Sequence, residues 1–427
     1  MNPHAGESYW DIVKRQFRKN KMAVLSLRVL YVLLFIGLFA DFLANEKPIV
    51  CKLNDKWFFP IVRQYWVEWG LGAWPKEFQN ADWLNMKYQF AVYPLVPYSP
   101  TTVDLTNGDY ASPFGKQTVA SWRWRHHLGT DQIGRDVLAG LIHGTRIAML
   151  VGVVSMAIAT AIGIFLGAMA GYFGDNRLQL SKARLILNAL FVFFAWFYAF
   201  SVRSYLLELA LSDSFGSFIL QFFVSLFLFT AIMAIPNLLA WPLKKIPFLS
   251  QKITIPVDII ISRAIEIIIS IPTLLLILSI TAIVKKPSVM LIMVIIGLTG
   301  WTGIAKYIRA ELLRIRSLEY IEAAQALGFS EWRIIVKHAI PNALTPVLIA
   351  VAFGVAGAIL VESSLSFLGI GVQAEVITWG KLLSTARENS AAWWLAVFPG
   401  FAIFITVTIF NLLGEGLTDA MDPRLKQ

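Results

Sequence analysis

Residues 317–341 read SLEYIEAAQALGFSEWRIIVKHAIP and lie between two long apolar runs, 287–305 and 344–361. The pattern predicts two short helices with a tight break. Ser317 is placed to cap the first, and Glu319 in its first turn complements the helix dipole. Gly328 ends that helix, since glycine tolerates the left-handed backbone that follows a helix end. Ser330 restarts the chain with Glu331 behind it. Trp332, Ile335, Val336 and Ala339 then fall at i, i+3, i+4 and i+7, one apolar face. Pro341 closes the segment. The first helix presents Ala323, Ala324 and Ala326, small side chains that let a partner backbone come close, with Glu322 as one fixed charge. Roughly ten residues at 1.5 Å each make a rigid peg of about 15 Å. A Glu-Ala-Ala triplet alone reads as a solvated helical loop. The full spacing, Glu322-Ala323-Ala324, then Gly328, then Ile340-Pro341, is far more specific.

The segment matters because the rest of the chain is so apolar. Of 427 residues, 57% are hydrophobic and 15% charged, against about 25% charged in soluble domains. The fold class expected is an all-α polytopic membrane bundle. A net charge of +10 could suggest nucleic acid. Here the bases cluster beside apolar runs, so membrane orientation explains them and no nucleic-acid partner is expected. Cys51 is the one cysteine, which excludes an internal disulfide. No short apolar stretch with a small-residue cleavage site opens the chain, so no cleaved signal peptide is expected.

Lys14, Arg15, Arg18, Lys19 and Lys21 precede a first span at 23–44 and predict a cytoplasmic tail, 1–22. Residues 45–128 are then extracytoplasmic. Their many aromatics, Trp57, Trp66, Trp69, Trp74 and Trp83 among them, read as the core of a folded loop or as a belt at the membrane interface. In 126–146, Thr130 or Asp131 can cap a helix. His126, His127, His143, Asp131 and Asp136 show no spacing typical of a metal site, so capping and turn formation are the better reading. A span at 147–170 carries Gly163, Gly167 and Gly171 on one face, suited to close helix contact. Two apolar runs, 184–207 and 216–240, lie within 176–255. Each reaches the ~20 residues that cross a bilayer, and a pair of spans returns the chain to the side it left. Lys182, Arg184, Lys244, Lys245 and Lys252 flank the pair on that side, with Arg203 and Glu208 at the opposite turn. Further spans are expected at 264–284, kinked at Pro272, at 287–305, with Lys285 and Lys286 between them, at 344–368 and at 393–413 behind Trp393 and Trp394. The count is eight. Glu362, deep in a span, is a candidate for the translocation path or else a residue paired near the outer surface. Glu266 lies near the inner mouth.

The stretch 317–341 resembles the coupling loop of binding-protein-dependent ABC transporter permeases, and LGTDQIGRDV (128–137) and GYFG (171–174) resemble the oligopeptide and dipeptide subfamily. The tail GEGLTDAMDPRL (414–425) resembles the family's cytoplasmic C-terminus. FADFLANEKP with WFFPIVRQYW resembles the microcin C-type, Yej-like branch. The resemblance implies a type I permease core of six spans in 129–175 and 256–427 together with the first span, to which 176–255 adds a pair. It implies a coupling loop at 306–343 in which Glu322, Ala323, Ala324, Gly328, Ile340 and Pro341 dock an ATPase. It further implies a bacterial inner-membrane subunit with both termini cytoplasmic, importing peptides beside a second permease, two ATPase domains and an extracytoplasmic peptide-binding protein. ATP and Mg would be bound by the partner, and this chain would be no enzyme. Consistently, the sequence holds no G-x-x-x-x-G-K-[ST] loop. Three rivals are an ion-coupled secondary transporter, for which Glu266 and Glu362 are the support, a permease for nickel or another small solute, and a membrane metalloprotease, for which no H-E-x-x-H exists.

Overall fold

The computed structural model describes residues 9–79, 81–213, 215–243, 245–283, 288–370 and 376–421. Lys244, Lys285 and Lys286 lie outside the described residues, as does the end of the C-terminal motif. The helices, in chain order, are α1 (Tyr9–Lys19), α2 (Lys21–Leu38), α3 (Ala40–Leu43), α4 (Pro60–Glu68), α5 (Val137–Ala168), α6 (Lys182–Trp196), α7 (Ser204–Asp213), α8 (Phe215–Leu243), α9 (Pro247–Ser250), α10 (Val257–Ser270), α11 (Thr273–Ile283), α12 (Val289–Ile315), α13 (Glu319–Ala326), α14 (Glu331–Ile334), α15 (Ile340–Phe367), α16 (Trp379–Thr385) and α17 (Trp394–Met421). The strands are β1 (Val50–Leu53), β2 (Lys56–Phe58), β3 (Phe90–Val92), β4 (Gln179–Ser181) and β5 (Lys252–Thr254). Among the described residues, seven helical stretches are long and apolar enough to cross a membrane: α2, α5, α6, α8, α12, α14 continuing into α15, and α17. The count of eight is reached only if α10 and α11, bent by 83°, form one broken span.

That bend corrects the helix expected over 264–284. Ile271, before Pro272, is extended (φ −95°, ψ 124°), the conformation a following proline ring imposes, so the kink becomes a full break. Helix α5 likewise begins at Val137, ten residues before the expected span. Asp136, not Thr130 or Asp131, is its cap: its Oδ1 accepts from Ala139 N at 2.7 Å. Asp131 instead closes the preceding turn, accepting from Ile133 N and Arg135 N, and Gly134 supplies the left-handed residue (φ +86°) that this turn needs.

The chain forms two compact units. The first comprises residues 1–156, 278–289 and 351–427. In it Asn20 caps α2, accepting from Ala23 N at 3.1 Å, and its amide donates to Asp419 on α17. The 45–128 region is built on a three-stranded antiparallel sheet of order β2-β1-β3, with Cys51 opposite Phe58 and Ala91. Cys51, Phe78 and Trp83 are its core, with Phe58, Trp74 and Tyr88 packed on them. Trp57, Trp66 and Trp69 stay exposed. The folded-core reading therefore holds for Trp74 and Trp83. Tyr65 on α4 and Arg146 on α5 both donate to Asp41 at 2.6 Å, tying the region to the end of the first span.

The second unit comprises residues 157–277 and 290–350. Its centre is the glycine face of α5 against α12. A β-carbon at Gly167 would lie 2.6 Å from Ala305 O and 2.9 Å from Ile308 Cβ, so only hydrogen fits. Gly163 faces Ile304 and Gly171 faces Leu312 in the same way. Helices α6 and α8 fill the inserted stretch. Arg203 at its turn donates to Ser225 Oγ and Gln221 Oε1 on α8. Its two ends meet in the antiparallel pair β4·β5, with Ser181 opposite Lys252.

Candidate functional site

Helix α12 runs 27 residues, about 40 Å at 1.5 Å per residue, and ends in a polar turn that donates Arg314 to Glu311. Helix α13 follows. Its N-cap position is Leu318, with no side-chain cap; the Ser317 hydroxyl donates backward to Arg314 O at 2.9 Å. This corrects the expected Ser317 cap: the hydroxyl closes the end of α12 instead of opening α13. Ile321 and Ala324 face inward and are buried. Glu322, Ala323 and Ala326 face outward and are exposed. The alanine stripe is thus divided, one alanine seating the helix and two lying open.

Gly328 takes φ +77° with open space around it, so the glycine serves backbone geometry and not packing. Ser330 is the next N-cap and α14 begins at Glu331. Here the structure departs from two separate helices closed by Pro341. Helix α14 widens over Ile335–Ala339 into i→i+5 turns and runs into α15 as one 37-residue stretch, Glu331–Phe367. The Ile340 amide already reaches back to Ile335 O. A proline next to a widened turn costs little, because the ladder it would interrupt is already displaced. Ile340 is half-buried and Pro341 exposed. The apolar face also divides: Ile335 and Ala339 are buried with Ile334, whereas Trp332 (67% exposed) and Val336 point away. Leu327 (74% exposed), at the end of the helix that carries Glu322 and Ala323, is likewise open.

The underside is bolted to the end of α5. Tyr172, fully buried, donates its hydroxyl to Glu331 and accepts from Gln325 Nε2 at 3.3 Å. Arg177 covers the same ring at 5.4 Å, and Arg316 donates to Gly171 O. About two helical turns before Arg316, Arg309 on α12 grips Asp258 on α10 with both Nε and Nη2. Tyr172 thus links α13 and α14 to the turn that ends α5, and Arg309 links α12 to α10. Sequence reading saw Tyr172 only as part of a turn. Its link to Glu331 spans 159 positions, and no local signal carries it.

The two carboxylates proposed for the path have different surroundings. Glu362 is 1% exposed on α15, where Ser366 Oγ donates to it at 2.6 Å and Ser363 at 3.4 Å. Thr378, the N-cap of α16, adds a further hydrogen bond. Glu266 is exposed and pairs with Arg263 at 2.6 Å, three residues away. Among the described residues no cluster of three metal-ligating side chains exists. His126 is buried between Asp136 (Nδ1–Oδ2, 2.8 Å) and Asp104 (Nε2–Oδ2, 3.3 Å) and stacks on Tyr98. Burial alone would lower the pKa of this imidazole; the hydrogen bonds and charges of the two carboxylates outweigh it and raise it. Burial would likewise raise Asp104, but hydrogen bonds from Thr106, Asn107 and His126 hold it down at about 2. Asp104 was not legible as part of this group. His143 is spent on Ala44 O.

Two family models match the chain. One, binding-protein-dependent transport system inner membrane component, matches residues 248–427. The other, N-terminal TM domain of oligopeptide transport permease C, matches 8–55. The inner membrane ABC transporter permease protein YejE of Escherichia coli is 26% identical over 413 residues, covering 96% of this chain and 95% of that protein. The dipeptide transport system permease protein DppC of Alkalihalophilus pseudofirmus is 28% identical, covering 75% of this chain and 80% of that protein. The oligopeptide transport system permease protein OppC of Haemophilus influenzae is 26% identical, covering 98% and 90%. With the glycine-packed α5–α12 core and a short helix carried beyond the spans, these matches place the chain in the family of inner-membrane permease components of binding-protein-dependent ABC transport systems, among its oligopeptide, dipeptide and Yej-type members.

Proposed function

We propose that this chain is one of two permease subunits of an ATP-driven peptide importer, and that α13 with the start of α14 is where the ATPase docks. The observation that carries the proposal is the exposed face of Glu322, Ala323, Ala326, Leu327 and Trp332, backed by a rigid underside of Ile321, Ala324 and the Tyr172 hydroxyl. A partner cleft receives the small side chains, Glu322 offers a charge to a basic group in it, and the buried side transmits the push. ATP and Mg belong to the partner. The second permease and an extracytoplasmic peptide-binding protein complete the importer, which sits in the bacterial inner membrane with both termini of this chain cytoplasmic. Named relatives handle dipeptides and oligopeptides, which favours peptide cargo over nickel. The ion-coupled reading loses support: Glu266 is a surface pair and Glu362 is held by three hydroxyl groups.

Glu322→Arg, which reverses the charge on the docking face, and Gly328→Pro, which forbids φ +77°, are expected to abolish peptide-stimulated ATP hydrolysis and uptake while the subunit still inserts. Retained uptake and ATPase stimulation in both variants would remove the docking role.

A further inference from the structure

The inserted helices carry a polar group that nothing in the fold uses. Arg184 stands three residues inside α6 from its N-cap Ser181, about 4.5 Å along the helix. Its Nε is enclosed and meets no hydrogen-bond partner. One turn further, the side-chain oxygen of Asn188 is enclosed and equally unpartnered. Both lie on one face of α6, at i and i+4. A guanidinium left without a partner at the mouth of a span is costly, and a counter-charge from outside the chain would relieve it. The surroundings select an anion. Lys182 reaches Gln251 Oε1 at 2.6 Å and lies 4.0 Å over the Phe248 ring. Lys252, opposite Ser181 in β4·β5, is exposed, as is Lys245 on the turn after α8. The carboxylate that precedes this end in the chain, Asp175, is engaged by Ile259 N. Above this base α6 and α8 are almost wholly uncovered by this chain, with 17% and 6% of their apolar windows buried.

We propose that Arg184 and Asn188, at the end of the inserted pair that also carries Lys182 and Lys252, bind the phosphate of an anionic phospholipid in the leaflet at the β4·β5 end. Guanidinium forks match phosphate oxygens. The Asn188 amide can present its N–H2 group instead of its oxygen, since no partner fixes which way it points. Basic pockets between spans are a known resting place for anionic headgroups. The inserted pair thereby acquires a role that requires neither the coupling segment nor the transported cargo.

The test is native mass spectrometry of the full chain in mild detergent, titrated with phosphatidylglycerol, phosphatidylcholine and inorganic phosphate. Wild type is expected to retain phosphatidylglycerol in preference to phosphatidylcholine. Arg184→Gln should weaken phosphatidylglycerol binding by about tenfold, the scale of one charged hydrogen bond, and Asn188→Leu should weaken it measurably while keeping the charge. Phosphatidylcholine binding should be the same in all three. Unchanged phosphatidylglycerol affinity in Asn188→Leu and Arg184→Gln overturns the site. If Arg184→Gln fails to insert, unchanged affinity in Asn188→Leu alone overturns it. Inorganic phosphate binding as tightly as phosphatidylglycerol overturns the lipid assignment.

Discussion

Tyr172→Phe isolates the bolt beneath the coupling segment. The substitution keeps the buried ring and its Arg177 contact at 5.4 Å and removes only the hydroxyl that joins Glu331 and Gln325. A hydrogen bond to a charged group contributes ~1.5–3 kcal/mol when its loss strands the charge. Glu331 is exposed and regains water, so the loss falls at the low end, about 1.5 kcal/mol. That corresponds to about tenfold more opening of α13 and α14. Amide hydrogen exchange of the full chain in nanodiscs reads this directly, because local opening sets exchange where closing is fast. Peptides covering 319–338 should exchange about tenfold faster in Tyr172→Phe, and peptides from α8 should be unchanged. Unaltered exchange in 319–338 would show that the hydroxyl holds nothing. Equal acceleration in α8 would show general loosening in place of a bolt.

Other perturbations probe the scaffold. Gly167→Ala puts a β-carbon 2.6 Å from Ala305 O; overpacking of this kind costs ~1–3 kcal/mol, and thermal unfolding in detergent should report it, whereas Gly328→Ala is penalised by backbone angle alone. The raised pKa of His126 makes its contribution fully present below the unfolded value near 6.5, fading as pH rises through the higher folded value. The 45–128 region should therefore unfold more easily from neutral toward alkaline pH, and His126→Phe should flatten that slope; Asp104, held at about 2, adds stability above its unfolded range that is lost as pH falls toward 2. Deleting 182–251 and joining Ser181 to Lys252, neighbours across β4·β5, should leave a C-terminal reporter on its original side, and a reporter that switches sides would contradict a paired insertion.

What the sequence disclosed follows from the range of the forces involved. Hydropathy over ~20 residues is a local sum, so the positions of α2, α8 and α17 could be read directly. Gly328 was legible because a left-handed helix end has one strongly preferred residue. Pro341 misled because a proline's effect depends on the ladder around it, and a widened turn over Ile335–Ala339 leaves no trace in composition. Choosing among Thr130, Asp131 and Asp136 as a cap depends on where the backbone turns, which Gly134 decides at φ +86°. The glycines of α5 announced close contact, but their partner, the Ile304–Leu312 face of α12, lies far away in the chain. Tyr172–Glu331, Arg309–Asp258 and Asp104–His126–Asp136 all require a folded chain to bring their members together.

The most direct measurement is a single-cysteine cross-link. Cys51 is buried and its thiol is pushed up to about 11 by that burial, so it stays unreactive and Ala323→Cys is the one reactive position. In the assembled transporter, a short bifunctional reagent on Ala323→Cys should join this subunit to the ATPase, with a yield that changes between nucleotide-free and ATP-bound states. An Ala323→Cys chain that inserts and supports transport, yet never cross-links to the ATPase in either state, would contradict the coupling role.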